Sequence, residues 1–225
     1  MKKETGNLRF PIWLLADSEP DRWRHRLDDP LDKRHPIRHN IWTSVLDVIQ
    51  GEVFLALGEG VDANRMYLRN AVQDSATKPS DPFNRSLLWH DGAQASLAEY
   101  ERLIAECQPR IVLTFGWFAF AFALRATGET NDGLRASGSK TAFLGNEFRR
   151  RVGTFDISRT NVLPLLHRSV AGGNFFAGHD EFCGKKGANY FEEAGKAIAG
   201  ILVRHHDPLA CWLNRPAIPA DTPTT

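Results

Sequence analysis

Ile111-Val112-Leu113-Thr114-Phe115-Gly116 is the stretch from which the architecture can be worked out. Five uncharged, mostly β-branched or aromatic residues bounded by Pro109 and Gly116 predict a short strand buried on both faces. Just upstream, Leu97, Tyr100, Leu103 and Ile104 recur at helical spacing until Pro109 stops them. Downstream, a Gly/Ser-rich loop (128–138) and a hairpin carrying Arg149-Arg150-Arg151 lead to Asn161-Val162-Leu163-Pro164-Leu165-Leu166, a further strand that delivers His167 at its end. The last helix, Asn189 to about Arg204, sets Phe191, Ala194, Ile198, Ile201 and Leu202 on one face. On the amino-terminal side, Ile41, Val45, Val48 and Ile49 predict a helix ending at Gly51. Val53-Phe54-Leu55-Ala56-Leu57 then predicts a strand running into Gly58-Glu59-Gly60.

Helices alternating with short apolar strands imply an α/β fold: a single three-layer α/β/α domain around a short, mostly parallel central sheet. At 225 residues one core suffices. The expected division is an N-terminal extension over 1–40, packed on or near the domain, the domain itself over 41–214, and a Pro/Thr-rich flexible tail over 215–225. The extension holds apolar Phe10-Pro11-Ile12-Trp13-Leu14-Leu15 and a segment rich in Arg, His and Trp, in which interleaved Asp residues favour a self-paired surface as much as a basic arm.

Composition narrows the function classes. With 42% hydrophobic and 24% charged residues the chain is neither disordered nor fibrous. Its formal net charge of +1 means that any nucleic-acid site must be a local basic patch. Cys107, Cys183 and Cys211 are scattered, with no C-x-x-C pair, which suggests no disulfide framework and no zinc or iron–sulfur site and fits a reducing cytoplasm. Met1-Lys2-Lys3-Glu4 runs into a polar stretch without the apolar core expected of a signal peptide. The most apolar window, Ile111 to Leu124, is fourteen residues, where a membrane span needs about twenty.

In open parallel sheets ligands bind beyond the carboxyl ends of the strands. Applied to the expected strands, that rule selects Gly58–Asn64, Gly116–Trp117 and His167–Asn174. The first offers two carboxylates, Glu59 and Asp62, the Asn64 amide, and glycines that admit close backbone approach. It is not a phosphate-binding Walker loop, because no Gly-Lys-Ser/Thr follows, and an N-cap would explain Asp62 equally well.

The order of these motifs resembles the uracil-DNA glycosylase superfamily over roughly 41–204: strand–Gly-Glu-x-x, helix–strand–Gly, then Leu163-Pro164-Leu165-Leu166-His167-Arg168-Ser169 with Gly173-Asn174-Phe175-Phe176 and a terminal helix. The resemblance implies a monofunctional DNA glycosylase without metal or organic cofactor, acting as a monomer on a nucleotide flipped out of DNA. Cleaving an N-glycosidic bond builds positive charge on the sugar and negative charge on the leaving base. Glu59, with Asp62 close behind, suits the sugar or the attacking water, and His167 can donate a hydrogen bond to the departing base. Asn84 resembles the family's base-reading asparagine, with Asn64 a second amide, and Tyr67 or Phe83 is the stacking ring. Arg168, Ser169, Gly172, Gly173, Asn174, Lys185 and Lys186 are the expected DNA contacts. Where uracil-specific relatives place a bulky ring against carbon 5 of the base, the first motif here has Asp62 and Ala63. That open gate suggests a 5-substituted pyrimidine such as glucosylated hydroxymethylcytosine of phage DNA.

Three alternatives stay open: a catalytically silent binder of modified DNA or RNA on the same fold, a uracil-specific repair glycosylase, and a hydrolase of free nucleosides. A metal hydrolase fits less well, since Pro36 disfavours a regular helix through His35 and His39, and His205-His206-Asp207 are sequential residues that point apart.

Overall fold

The run at 111–115 does form a strand, and it lies next to the centre of the sheet. The computed structural model describes residues 4–19, 42–84, 89–129, 139–167 and 175–213. Its strands are β1 (Glu4–Thr5), β2 (Ile12–Glu19), β3 (Tyr67–Asp74), β4 (Ile111–Phe115) and β5 (Asn161–Leu165), in the order β1-β3-β2-β4-β5. The four longer strands are mutually parallel and β1 pairs antiparallel with β3. All five residues of β4 and all five of β5 are buried, as expected of parallel strands covered on both faces.

Seven helices accompany the sheet among the described residues: α1 (Thr43–Leu57), α2 (Asp91–Cys107), α3 (Trp117–Ala126), α4 (Lys140–Gly153), α5 (Phe175–Cys183), α6 (Tyr190–Arg204) and α7 (His206–Leu209). Strand parity assigns the layers. Trp13 and Tyr67 are register partners, their rings 4.7 Å apart, and Trp13 also meets Tyr100 of α2 at 5.8 Å. That side of the sheet belongs to α2 and α3. Phe115 has the opposite parity and meets Trp42, at the start of α1, at 6.1 Å. The second side therefore belongs to α1 and its partner α6. These two approach closely because Gly195 has no side chain: a Cβ there would lie 2.6 Å from Val48 Cβ. The result is the expected three-layer α/β/α domain.

Three local expectations are corrected. The segment 53–57 is not a strand: one helix runs through Gly51 to Leu57. Val45, Ile49 and Val53 are buried at successive i, i+4 positions, so the stripe continues across the glycine, which costs a helix interior only about 1 kcal/mol. The helix stops instead at Gly58, which adopts φ 69° and donates its N–H to the Phe54 carbonyl at 2.8 Å. Arg149-Arg150-Arg151 lies in α4 and not in a hairpin; Ser139 caps that helix by accepting the N–H groups of Thr141 and Ala142.

The third correction concerns the first forty residues. Within the expected extension, residues 4–19 supply β1 and β2, and β2 is the middle strand of the sheet, with Trp13 and Leu15 fully buried. β3 was also not anticipated. It carries Arg69, 1% exposed, whose guanidinium lies over the Tyr100 ring and donates to Glu99 at 3.2 Å.

Candidate functional site

Parallel strands give the sheet two unlike edges. Strands β4 and β5 are five residues long, which separates the edges by roughly 17 Å. The chain passes from β2 to β3 on one side and then from β3 to β4 on the other, so the order reverses between β2 and β4. The crevice beyond the carboxyl ends of those two strands is where such sheets hold ligands.

Gly58–Asn64 is not there. It follows the C-terminus of α1 and precedes the start of β3, which places it at the amino edge. Glu59 Oε2 lies 3.1 Å from His206 Nε2, and Asp62 Oδ2 lies 4.0 Å from Arg65 Nε. Asn64 is exposed in the short 3-10 turn before β3. This segment is held by the end of the described chain. Val61 bridges to Trp212, Asp62 N–H donates to the Cys211 carbonyl at 2.8 Å, and Leu213 N–H donates to the Gly60 carbonyl at 2.8 Å. The Gln50 amide ties both main-chain groups of Val61. Tyr67 is likewise a core residue of that edge, 1% exposed, with its hydroxyl donating to the Glu4 carboxylate. Glu59, Asp62, Asn64 and Tyr67 are thus set apart from His167, and the open-gate argument from Asp62 and Ala63 loses its position.

Gly116–Trp117 and His167 do share the carboxyl edge. Gly116 has φ 94°, a left-handed value open to glycine, and a Cβ added there would stand 2.7 Å from His167 Cβ. The turn after β4 is therefore packed directly on the histidine after β5. The main chain leading into His167 is pinned from below: Leu166 N–H donates to the Tyr190 hydroxyl at 3.0 Å. Tyr190 is fully buried, which pushes its pKa well above the ordinary range and keeps the hydroxyl protonated. Its own N–H donates to His179 Nδ1 at 3.3 Å, and burial lowers the His179 pKa, favouring the neutral ring.

Asp17, near the end of β2, is a carboxylate of this edge. It is 16% exposed, and its Oδ1 accepts from Lys78 Nζ at 2.9 Å, while Lys78 also lies over the Phe118 ring. Parallel neighbours are spaced about 4.8 Å apart, so β2 and β5, on either side of β4, are roughly 10 Å apart. Asp17 and the Leu166–His167 segment therefore flank the β4–Gly116 turn.

A partly exposed aromatic group adjoins this turn. Phe83 and Trp117 have centroids 4.2 Å apart, Phe143 meets them at 5.9 and 5.1 Å, and Lys140 Nζ lies 5.5 Å from the Trp117 centroid. Asn84 follows Phe83, exposed, in a turn where the Asp81 carboxylate accepts Phe83 N–H and the Asp81 carbonyl accepts Asn84 N–H. Of the expected site residues, Phe83, Asn84 and His167 belong to these carboxyl-edge segments. Lys185 and Lys186 are exposed in the turn after α5, a turn tied by Asp180. Arg168, Ser169, Gly172, Gly173 and Asn174 lie outside the described residues.

Sequence reasoning selects Gly116–Trp117 at this edge but misses Asp17 and Lys78. A usable signal was present: Leu14-Leu15-Ala16-Asp17 is an apolar run ending in a carboxylate. Among the described residues no group of three or more His, Cys, Asp or Glu side chains could hold a metal ion. Burial pushes the Cys183 thiol up to about 11 and the Cys211 thiol up to about 12, so neither is a thiolate nucleophile at neutral pH. No described helix is long and apolar enough to cross a membrane. No protein-family model matches the chain, and no curated protein matches it in sequence.

Proposed function

We propose that the chain is a monofunctional DNA glycosylase that hydrolyses the N-glycosidic bond of a pyrimidine flipped into the carboxyl-edge crevice and leaves an abasic site. What supports this reading is that Asp17, the Gly116 turn and His167 lie at the carboxyl ends of the neighbouring strands β2, β4 and β5, beside the point where the strand order reverses. In this assignment Asp17, and not Glu59 or Asp62, faces the positive charge that develops on the sugar and orients the attacking water. His167 donates to the departing base. Phe83 and Trp117 supply an aromatic face for the extruded ring, and Asn84 reads its edge. Lys185, Lys186 and the segment 168–174 contact the DNA backbone. The enzyme acts as a monomer in the cytoplasm, where its three cysteines stay reduced.

One observation favours a second reading. Asp17 is already neutralised by Lys78, which suits a binder of modified DNA or RNA that performs no chemistry. The two are separated by incubating the protein with duplexes and single strands carrying uracil, hydroxymethylcytosine or its glucosylated form, followed by alkali. Strand cleavage at one of these bases, abolished by Asp17→Asn and His167→Ala, supports the glycosylase. Tight binding without cleavage of any of them supports the binder. Turnover of free nucleosides with no action on DNA would sink both.

A further inference from the structure

At the amino edge, away from the crevice, a groove of about 470 Å3 opens between the C-terminal ends of α2 and α3 and the loop that leads into β5. Small-molecule sites span roughly 300–1,000 Å3. Its apolar part is Ile104, Ala105 and Ala126, and its polar parts carry opposite charge.

The helix side presents Glu101 and the ends of α2 and α3, where aligned peptide dipoles leave partial negative charge. Glu101 is exposed on this side. The loop side presents Arg110 and Arg159. Arg110 Nη1 donates to the Ser158 carbonyl at 3.2 Å, and Arg159 Nε stands 3.9 Å from Asp156 Oδ2, beyond hydrogen-bond reach. Glu129, also on the lining, is held by Arg151 at 2.8 Å, and the exposed Arg159–Asp156 contact at 3.9 Å is long enough to yield to a ligand carboxylate. At the end of α2, Gln108 takes φ 47°, a left-handed position where glycine is the usual occupant, and it brings an amide side chain to the lining.

A simple anion would meet Glu101 and two helix ends, and a simple cation would meet two arginines. A molecule bearing both charges a few bonds apart satisfies both sides. We propose that this groove binds a free α-amino acid with an apolar side chain: carboxylate on Arg110 and Arg159, ammonium on Glu101 and the helix ends, side chain on Ile104, Ala105 and Ala126. The proposal does not depend on the reaction assigned to the crevice.

Titration calorimetry of the full chain with L-leucine and L-phenylalanine tests it, beside N-acetyl-L-leucine, which lacks the ammonium, and L-leucinamide, which lacks the carboxylate. Saturable binding of a free amino acid is expected, weakened ~10-fold or more by blocking either charge. Glu101→Gln should weaken L-leucine but not N-acetyl-L-leucine, and Arg159→Gln should weaken L-leucine but not L-leucinamide. Both substitutions are at exposed positions, so the fold is retained. Absence of saturable binding by both amino acids, or equal binding by the blocked forms, overturns the proposal.

Discussion

The two edges of the sheet are closed by different means. At the amino edge, loops are sewn to one another by polar groups: Gln50 holds Val61, the Trp212 indole donates to the His206 carbonyl, and the Asn161 amide donates to the carbonyls of Arg110, Asp156 and Arg159. At the carboxyl edge, close backbone packing and aromatic rings take over, with Gly116 pressed on His167 and Phe83, Trp117 and Phe143 clustered beside them. The difference bears on function. At the amino edge Glu59 and the main chain around Asp62 are engaged by the segment 206–213, whereas the carboxyl edge presents rings and a histidine at the ends of parallel strands.

The sharpest way to break this contrast is to neutralise a carboxylate at each edge. If the crevice is a glycosylase site, Asp17→Asn should lower single-turnover excision by roughly 10²- to 10³-fold, the usual scale for losing an electrostatic stabiliser. Glu59→Gln, which removes a partner of His206, should change the rate less than about 2-fold. The reverse ranking would return the reaction to the amino edge.

Glycine substitutions extend the comparison to stability. Gly116→Ala forces a side chain into the left-handed region and against His167, and should cost about 3 kcal/mol in urea unfolding. Gly58→Ala shares the positive φ but meets nothing within 4 Å, and should cost only about 1 kcal/mol. Equal losses would show that the Gly116–His167 contact is not tight. Next in size, Tyr190→Phe leaves the buried Leu166 N–H without its acceptor, an expected loss of about 2 kcal/mol by the same measurement.

The smallest effect is a pH dependence confined to the amino edge. His206 lies between Asp207 at 2.9 Å and Glu59 at 3.1 Å with its ring stacked on Trp212, and the hydrogen bonds to Asp207 and Glu59 raise its pKa above the ordinary 6.5. A raised folded-state pKa contributes stability that is fully present below the unfolded value and is lost as pH rises through the folded one. Melting temperature should therefore fall slightly from pH 6 upward through the neutral range, and His206→Gln should flatten that component. An NMR titration of His206 giving a value below 6.5 would contradict it.

How much was legible in the chain differs element by element. β4, β5, α2 and α6 were plain because each carries its own signal: an uncharged apolar run, or a stripe at helical spacing with a stop at Pro109. α1 was split in two because Gly51 and the apolar 53–57 run look locally like a stop and a strand. The true end is set at Gly58, and Phe54 and Leu55 are exposed in the helix, 45% and 82% respectively. β3 was missed because Tyr67-Leu68-Arg69-Asn70 does not look like a buried strand. Arg69 is tolerated there because its guanidinium donates to the Asn70 carbonyl and reaches Glu99 and Tyr100, thirty or so residues away. Because 12–19 reads as an extension and β3 carries no plain signal of its own, the sequence alone points to Glu59, and only the strand order brings Asp17 to the edge that holds His167.

What the amino-acid sequence determined by itself was the kind of fold, its single core, and two of the crevice's landmarks, the Gly116 turn and His167, because hydrophobic periodicity and turn residues act over a few neighbours. Which strand occupies the middle, which edge each loop reaches, and therefore which carboxylate can stand near His167 were decided only by the tertiary structure. Those are outcomes of pairing between segments far apart in the chain, and strand order and register depend on the partner as much as on the strand.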